Sequence, residues 1–363
     1  MIDLDILQVR ILTSLGAFSF AKYLYLYGRN SALPVDSLLD PYELRSLHKM
    51  ATTTDREAAV PFYAEFVEYH DDTVYAATAV IEALEGKGKW GSSSTESRTE
   101  VVALTCACQI VYMYALAEMA DAIADCKSQN PLDNIGGSHS WDEVAAFLIG
   151  SLEGPFAGGS PDIDDGQLLW NLANKRAFQF QTQNSEGYSR TNSELEDLLF
   201  SGRGQLDAFD CGNLEKTVSR IQHWLLIPVI QSTLRFAVEN SKLSESSSNQ
   251  SVAEGETFAL SVLPIIKSYD EVAASVIEEN MIMKSGVKPV LDGPQAVANA
   301  FYEALDEFGI SCEYVGASSQ VDACSKQGGA KESFSMPSGS IRLHTSAYQY
   351  ILGAIMIAGS LIS

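Results

Sequence analysis

The segment from residue 99 to residue 126 limits the fold more than any other part of the chain. It contains VVALTCACQIVYMYALAEMADAIA, which is apolar on most faces when wound at about 3.6 residues per turn. Such a helix has no face to show to water, so the chain must supply other helices to surround it. The flanking sequence has the matching periods. In residues 60–85, Val67, Val74, Ala77, Ile81 and Leu84 make one apolar stripe that Gly86 stops. Ser140-Trp-Asp-Glu143 has the spacing of a capping box and opens a predicted helix to about Leu152, ended by Gly154. Further helical runs cover about 214–240, 254–283 and 294–308, with Pro294 suited to a first turn and Gly309 to a stop. Convincing period-two strands are scarce, and the expected class is all-α.

The two halves have features in common. Ala17-Phe-Ser-Phe20 recurs as Ala177-Phe-Gln-Phe180, each followed by Asn-Ser and by a Leu-Leu pair, Leu38-Leu39 and Leu198-Leu199. Ala146-Phe147 pairs with Ala300-Phe301 inside helices that each end in glycine. The expectation is two tandem, pseudo-repeated helical bundles, residues 1–155 and 165–315, joined by the Gly/Pro/Asp-rich stretch 154–166 and followed by a flexible tail, 316–363. The pairs Phe18/Phe20 and Phe178/Phe180 are expected in the core.

Charge and cysteines narrow the setting. There are 24 Lys and Arg against 47 Asp and Glu, a net charge of −23, which repels phosphate backbones and argues against nucleic acid as a partner. The same field favours cations, or serves solubility alone. The six cysteines include no C-x-x-C, so they read either as up to three disulfides or as buried thiols, with Cys312 and Cys324 placed to close a short loop. Asn249-Gln-Ser251 is a possible glycan acceptor in a serine-rich stretch. The start, MIDLDILQVRILTS, has acids where a signal peptide carries bases, so a secreted form is expected to need a leader not contained in this sequence. Residues 345–363 are uncharged and follow the small residues Ser338-Gly339-Ser340, in the manner of a GPI-attachment signal; a single membrane span or a packed helix are the alternatives.

Metalloprotease, P-loop, nucleophile-elbow and dinucleotide motifs do not occur. Two clusters of potential ligands do. His139, at the start of the predicted helix, has Asp142 and Glu143 in the following turn; this is either a set of metal ligands or a cap with acids facing the helix dipole. Glu65, Glu68, Asp72 and Glu82, with His70 and Asp71 alongside, share a helix face, either turned inward as oxygen ligands or outward as a solvated stripe.

Several stretches resemble the algal iron-assimilating proteins, also described as high-CO2-inducible periplasmic proteins: SLGAFSFAKYLYLYGRNS (14–31), PFYAEFVEYHDDTVYAA (61–77), GSHSWDEVAAFLIGSLEG (137–154), LIPVIQSTLRFA (226–237) and AEGETFALSVLPII (253–266). The resemblance spans about residues 12–315 and implies a secreted or periplasmic protein linked to iron uptake, with no catalytic activity to carry over. A more distant likeness is to imelysin-like proteins, two-bundle and iron-regulated, with a G-x-H-x-x-E motif; here Gly137-Ser-His139-Ser-Trp-Asp142 has Asp in the last place. The expected function is iron assimilation by binding iron through carboxylates and histidine, in contact with cell-surface iron transport machinery and with membrane attachment through the tail. The rivals are a structural or adhesive coat protein and an imelysin-like metalloprotein or hydrolase. The expected ligands are His139, Asp142 and Glu143, with Glu68 or Asp72 from the helix beginning near residue 60.

Overall fold

The apolar run winds into one continuous helical rod, Thr95–Ser128, in the computed structural model, which describes residues 1–34, 42–53, 60–129, 136–153, 165–244, 250–284 and 287–325. The rod is long and apolar enough to cross a membrane, yet 83% of its most apolar window is buried inside the protein. It is the core helix of an all-α fold. In chain order the helices are α1 (Ile2–Ser14), α2 (Phe18–Tyr27), α3 (Leu47–Thr52), α4 (Tyr63–His70), α5 (Tyr75–Glu85), α6 (Thr95–Thr105), α7 (Tyr112–Ser128), α8 (Gly137–Ile149), α9 (Leu169–Phe180), α10 (Arg190–Asp207), α11 (Cys211–Asn240), α12 (Gln250–Leu260), α13 (Leu263–Tyr269), α14 (Glu271–Met281), α15 (Pro294–Glu307) and α16 (Cys312–Val315). A π-helical turn, Cys106–Val111, joins α6 to α7 without a break in the rod. One two-stranded antiparallel hairpin, β1 (Ala32–Pro34) with β2 (Tyr42–Leu44), lies between α2 and α3.

The rod is wrapped from both halves of the sequence. Helices α1, α5 and α12 pack on α6, α8 packs on α7, and α11 touches α7. Helix α13 packs on α4, and α8 reaches α9 and α10. The buried apolar residues form one cluster running from Ile2 to Ala323, so the cores of the two halves are continuous. The segments paired in the sequence comparison occupy opposite ends of their helices: Phe18 and Phe20 begin α2, whereas Phe178 and Phe180 end α9. Only one ring of each pair faces inward. Phe180 is buried and Phe18 packs partly buried beneath the Arg98 guanidinium, but Phe20 and Phe178 are 72% and 73% exposed. Residues two positions apart on a helix are separated by about 200°, so both rings of a pair cannot enter the same core.

Several boundaries differ from the expected ones for local reasons. The stripe over 60–85 is two helices, because Asp71 takes a left-handed conformation (φ 50°) and Asp72 accepts hydrogen bonds from the Val74 amide (2.9 Å) and the Thr78 hydroxyl (2.6 Å), which starts α5 afresh. The run 254–283 is three helices, divided where Pro264 enters the first turn of α13 and where Asp270 caps α14 through the Val272 and Ala273 amides. Gly86 follows α5, Pro294 opens α15 and Gly309 lies just past its end, as expected. Leu38-Leu39, Asn249, most of the 154–166 linker and residues 326–363 lie outside the described residues.

Four of the six cysteines pair. Cys126 at the end of α7 joins Cys211 at the start of α11, across 85 residues, and Cys312 joins Cys324. The latter link, with an antiparallel bridge between Ala317 and Asp322, holds residues 312–325 against the core, where Val321 and Ala323 are buried. Cys106 and Cys108 are free and buried in the π turn, where burial pushes both thiols well above their ordinary range, Cys108 to about 12. The native protein should therefore resist iodoacetamide, and after unfolding without reductant two thiols, Cys106 and Cys108, should label. Opening the larger loop by Cys126→Ser should cost about 2–5 kcal/mol in urea denaturation.

Candidate functional site

The orientation of α8 decides where the histidine–acid motif points, and Trp141 fixes that orientation. Its ring is buried and its Nε1–H donates to the Leu199 carbonyl of α10 at 2.9 Å. The ring lies so close to Gly202 that a Cβ there would come within 2.0 Å of it, so only glycine lets α8 and α10 approach this closely. With Trp141 inward, His139 and Glu143, four residues apart, stand together on another side of the helix. His139 Nε2 is 3.5 Å from Glu143 Oε1, with the imidazole 39% exposed and the carboxylate 15%.

Glu143 is not a capping residue. The helix begins three residues before Ser140, at Gly137, with Gly136 as its N-cap and no side-chain cap, so Ser140 lies inside the helix. A Cβ at Gly137 would press on Leu206 and Asp125; without one, the start of α8 seats directly against α7 and α10. Glu143 instead receives two hydrogen bonds from the Arg45 guanidinium, at 2.8 and 3.0 Å. Arg45 leaves the hairpin after β2 and lies over the rings of Tyr114 (5.4 Å) and Phe147 (5.1 Å), which meet edge to face. Asp142 faces α10 and binds Arg203 at 2.8 Å in an exposed pair.

Glu68 and Asp72 belong to a different neighbourhood. Glu68 is exposed on α4, and Asp72 is engaged at the start of α5. The principal neighbours of α4 are α5 and α13, whereas those of α8 are α7, α9 and α10. The fold thus joins His139 to Glu143 and directs Asp142 to Arg203, and Glu68 and Asp72 sit on other elements. Among the described residues, no group of three or more His, Cys, Asp and Glu side chains converges as a metal centre.

A cleft opens beside Tyr114. It lies beside the π turn, and its lining includes Met50, Tyr63, Tyr75, Gln109, Met113 and Tyr114. Its volume is about 40 Å³, room for an ion with a water or two and far below a drug-sized pocket. Gln109 is held by the Ser261 hydroxyl of α12, to which its amide donates at 3.2 Å. Tyr63 donates to the Thr73 carbonyl at 2.6 Å. The His70 ring lies flat on Tyr75, 4.9 Å between centroids and 5° from parallel. The Tyr112 hydroxyl is buried without a partner and lies within electrostatic reach of the Tyr75 hydroxyl. Burial lifts both phenols well above the ordinary tyrosine range. Nothing in the sequence points to this cluster, since tyrosines scattered among apolar residues look like core.

The chain matches the family model described as low iron-inducible periplasmic protein over residues 1–324. The chain belongs to this family. No curated protein and no solved structure matches it. Membership places the protein outside the cytoplasm, periplasmic or at the cell surface, and ties it to iron. The two disulfides accord with an oxidising compartment. Among the described residues, the His139–Glu143 pair sets an imidazole nitrogen beside a carboxylate at a partly exposed position.

The stacked His70 makes the protein sensitive to acid. Burial pushes its pKa down to about 4 from the ordinary 6.5, with the Asp72 charge opposing, so the folded protein holds the neutral ring. Between about pH 6.5 and pH 4 the unfolded chain binds the extra proton, so stability falls as pH drops through that window. The slope is at most about 1.4 kcal/mol per pH unit. His70→Phe, which keeps the stack, should flatten this part of the stability–pH profile measured by urea denaturation.

Proposed function

We propose that the protein serves iron assimilation by holding iron outside the cytoplasm, with carboxylate oxygens and the His139 imidazole as ligands, and passing it to transport machinery at the cell surface. The observation that carries this reading is the His139–Glu143 pair, an imidazole nitrogen and a carboxylate oxygen 3.5 Å apart on the accessible side of α8, in a chain of an iron-related family. The net charge of −23 supports it by concentrating cations around the molecule.

Two features set how such a site would load. Glu143 is shared with Arg45, so iron must compete with a guanidinium for the carboxylate. Asp142 makes an exposed pair with Arg203, a class of contact worth about 0–1 kcal/mol, on the helix that carries His139. Glu68 and Asp72 would complete the set after movement of the α4–α5 elbow. An uncharged terminus, residues 345–363, would keep the protein at the surface.

The test is equilibrium dialysis against ferric nitrilotriacetate with metal analysis. His139→Ala combined with Asp142→Asn should weaken iron binding by about tenfold or more while helicity and melting stay unchanged. A folded double variant with unchanged stoichiometry and affinity would refute the ligand assignment.

A further inference from the structure

We infer that the outer face of the α1–α2 hairpin is a self-association surface, on which a second copy of this chain docks across a two-fold axis near Tyr23. The inference does not depend on iron, and it uses none of the residues around His139.

The spacing of α2 builds the face. Phe20, Tyr23 and Tyr27 recur at three and four residues, so their rings stand along one side of the helix. The Tyr23 and Tyr27 ring centroids are 4.7 Å apart. At the end of α1, Ile11 and Leu15 stand on the side away from the buried Ile6, Val9 and Thr13. The two helices run antiparallel. Asn30, just past α2, binds Asp5 near the start of α1 through its amide and its side chain, and a tight turn carries the end of α1 into α2. Ile11 and Leu15 therefore flank the Phe20 end of the stripe. All five side chains are between 48% and 76% exposed. With about 200 Å² for a large side chain fully in water, the five together offer roughly 600 Å². The largest apolar patch of a typical monomer is about 300–600 Å² and often functional. Each partner of a standard interface contributes about 800 Å², so the five side chains supply most of what a stable pair needs.

Charge selects the occupant. Residues 6–35 contain no Asp or Glu, in a chain that has 47. Glu85, which reaches α2 through Lys22 at 2.5 Å, is also bound by Lys87 at 2.7 Å. A basic partner would find no carboxylate on this face to pair with. An anionic membrane is repelled by the net charge of −23, against which the face sets the exposed Arg29 and the already paired Lys22. A second copy brings a face equally free of acids. The stripe has its middle at Tyr23, so a two-fold axis there lays Phe20 of one copy against Tyr27 of the other, and each contact is made twice. The backbone beneath the rings is fixed. Helix α2 packs on α3 and α5, and Gly28 at its end fits so closely that a Cβ would come within 2.3 Å of the Arg45 carbonyl oxygen. Rings held on a fixed helix lose little freedom on association.

The experiment is sedimentation equilibrium of the full chain from about 1 to about 100 μM. A reversible monomer–dimer equilibrium with a dissociation constant on the order of micromolar should appear. It should tighten as salt rises from about 20 to about 300 mM, because salt screens the repulsion between two chains of net charge −23. Tyr23→Glu, which brings two carboxylates to the axis, should weaken dimerisation about a hundredfold or more, and Phe20→Ser about tenfold or more. Phe178→Glu, at an equally exposed ring on α9, should leave it unchanged. Melting curves check the fold; if Tyr23→Glu does not fold, Phe20→Ser decides. A chain that stays monomeric at about 100 μM and about 300 mM salt overturns the inference. So does a dimer that persists undiminished in the folded Tyr23→Glu or Phe20→Ser variant. Co-sedimentation with phosphatidylglycerol vesicles, lost in Tyr23→Glu while the protein alone is monomeric, gives the face to a membrane and overturns it as well.

Discussion

Everything in this molecule is arranged around the need to keep one helical rod dry. Thr95–Ser128 is apolar almost all round, and a rod of that length exposes too much surface for any single neighbour to cover. Helices from the start, the middle and the far half of the chain close on it, α1 and α5 from one side of the sequence and α12 from the other. The interleaving follows from this demand. Helices of both halves share the cover, and the buried apolar residues form one continuous cluster.

Close wrapping forces polar groups inside, and several of them find partners across helices. Asp5 in α1 accepts from the amide and side chain of Asn30, and Asp3 accepts from Ser151, so the two acids at the start of the chain tie α1 to the turn after α2 and to the end of α8. Glu256 of α12 is wholly buried and binds Lys89 and the Met283 amide. Arg176 of α9 donates to Ser232 of α11 at 2.7 Å, beside the Pro228 carbonyl that accepts from the same hydroxyl. A buried charge stripped of its partner is expensive, so these contacts fix which helix sits against which more sharply than apolar packing does.

The sequence disclosed what is local and concealed what is assembled. Helix content, the stop at Gly86 and the start at Pro294 depend on backbone chemistry within a few residues and were legible. So was the short Cys312–Cys324 loop, whereas Cys126–Cys211 joins ends brought together only by packing. The break at Asp71 was hidden because an unbroken apolar stripe masks a two-residue change of backbone state. At the candidate site, the His139–Glu143 spacing is a property of one helix and could be read directly. Arg45, 98 residues away, could not, and it changes the meaning of Glu143 from a cap to half of an ion pair. The phenol cleft was hidden for a further reason: four α-helices, the π turn and the loops between them each contribute one to three residues, and none is distinctive alone.

The bond between Cys126 and Cys211 also gives the chain a covalent topology that matters outside the cell. It closes residues 126–211 into a ring that carries α8, Trp141 and the His139–Glu143 pair. A protease that cuts this ring once does not separate the two flanking parts, which stay tethered through sulfur. The helices on either side, α7 and α11, remain in register at the nick, and noncovalent packing can hold the severed ends in place. A periplasmic protein meets hydrolases that a cytosolic one is spared, and here a single scission is a wound the molecule can survive in one piece.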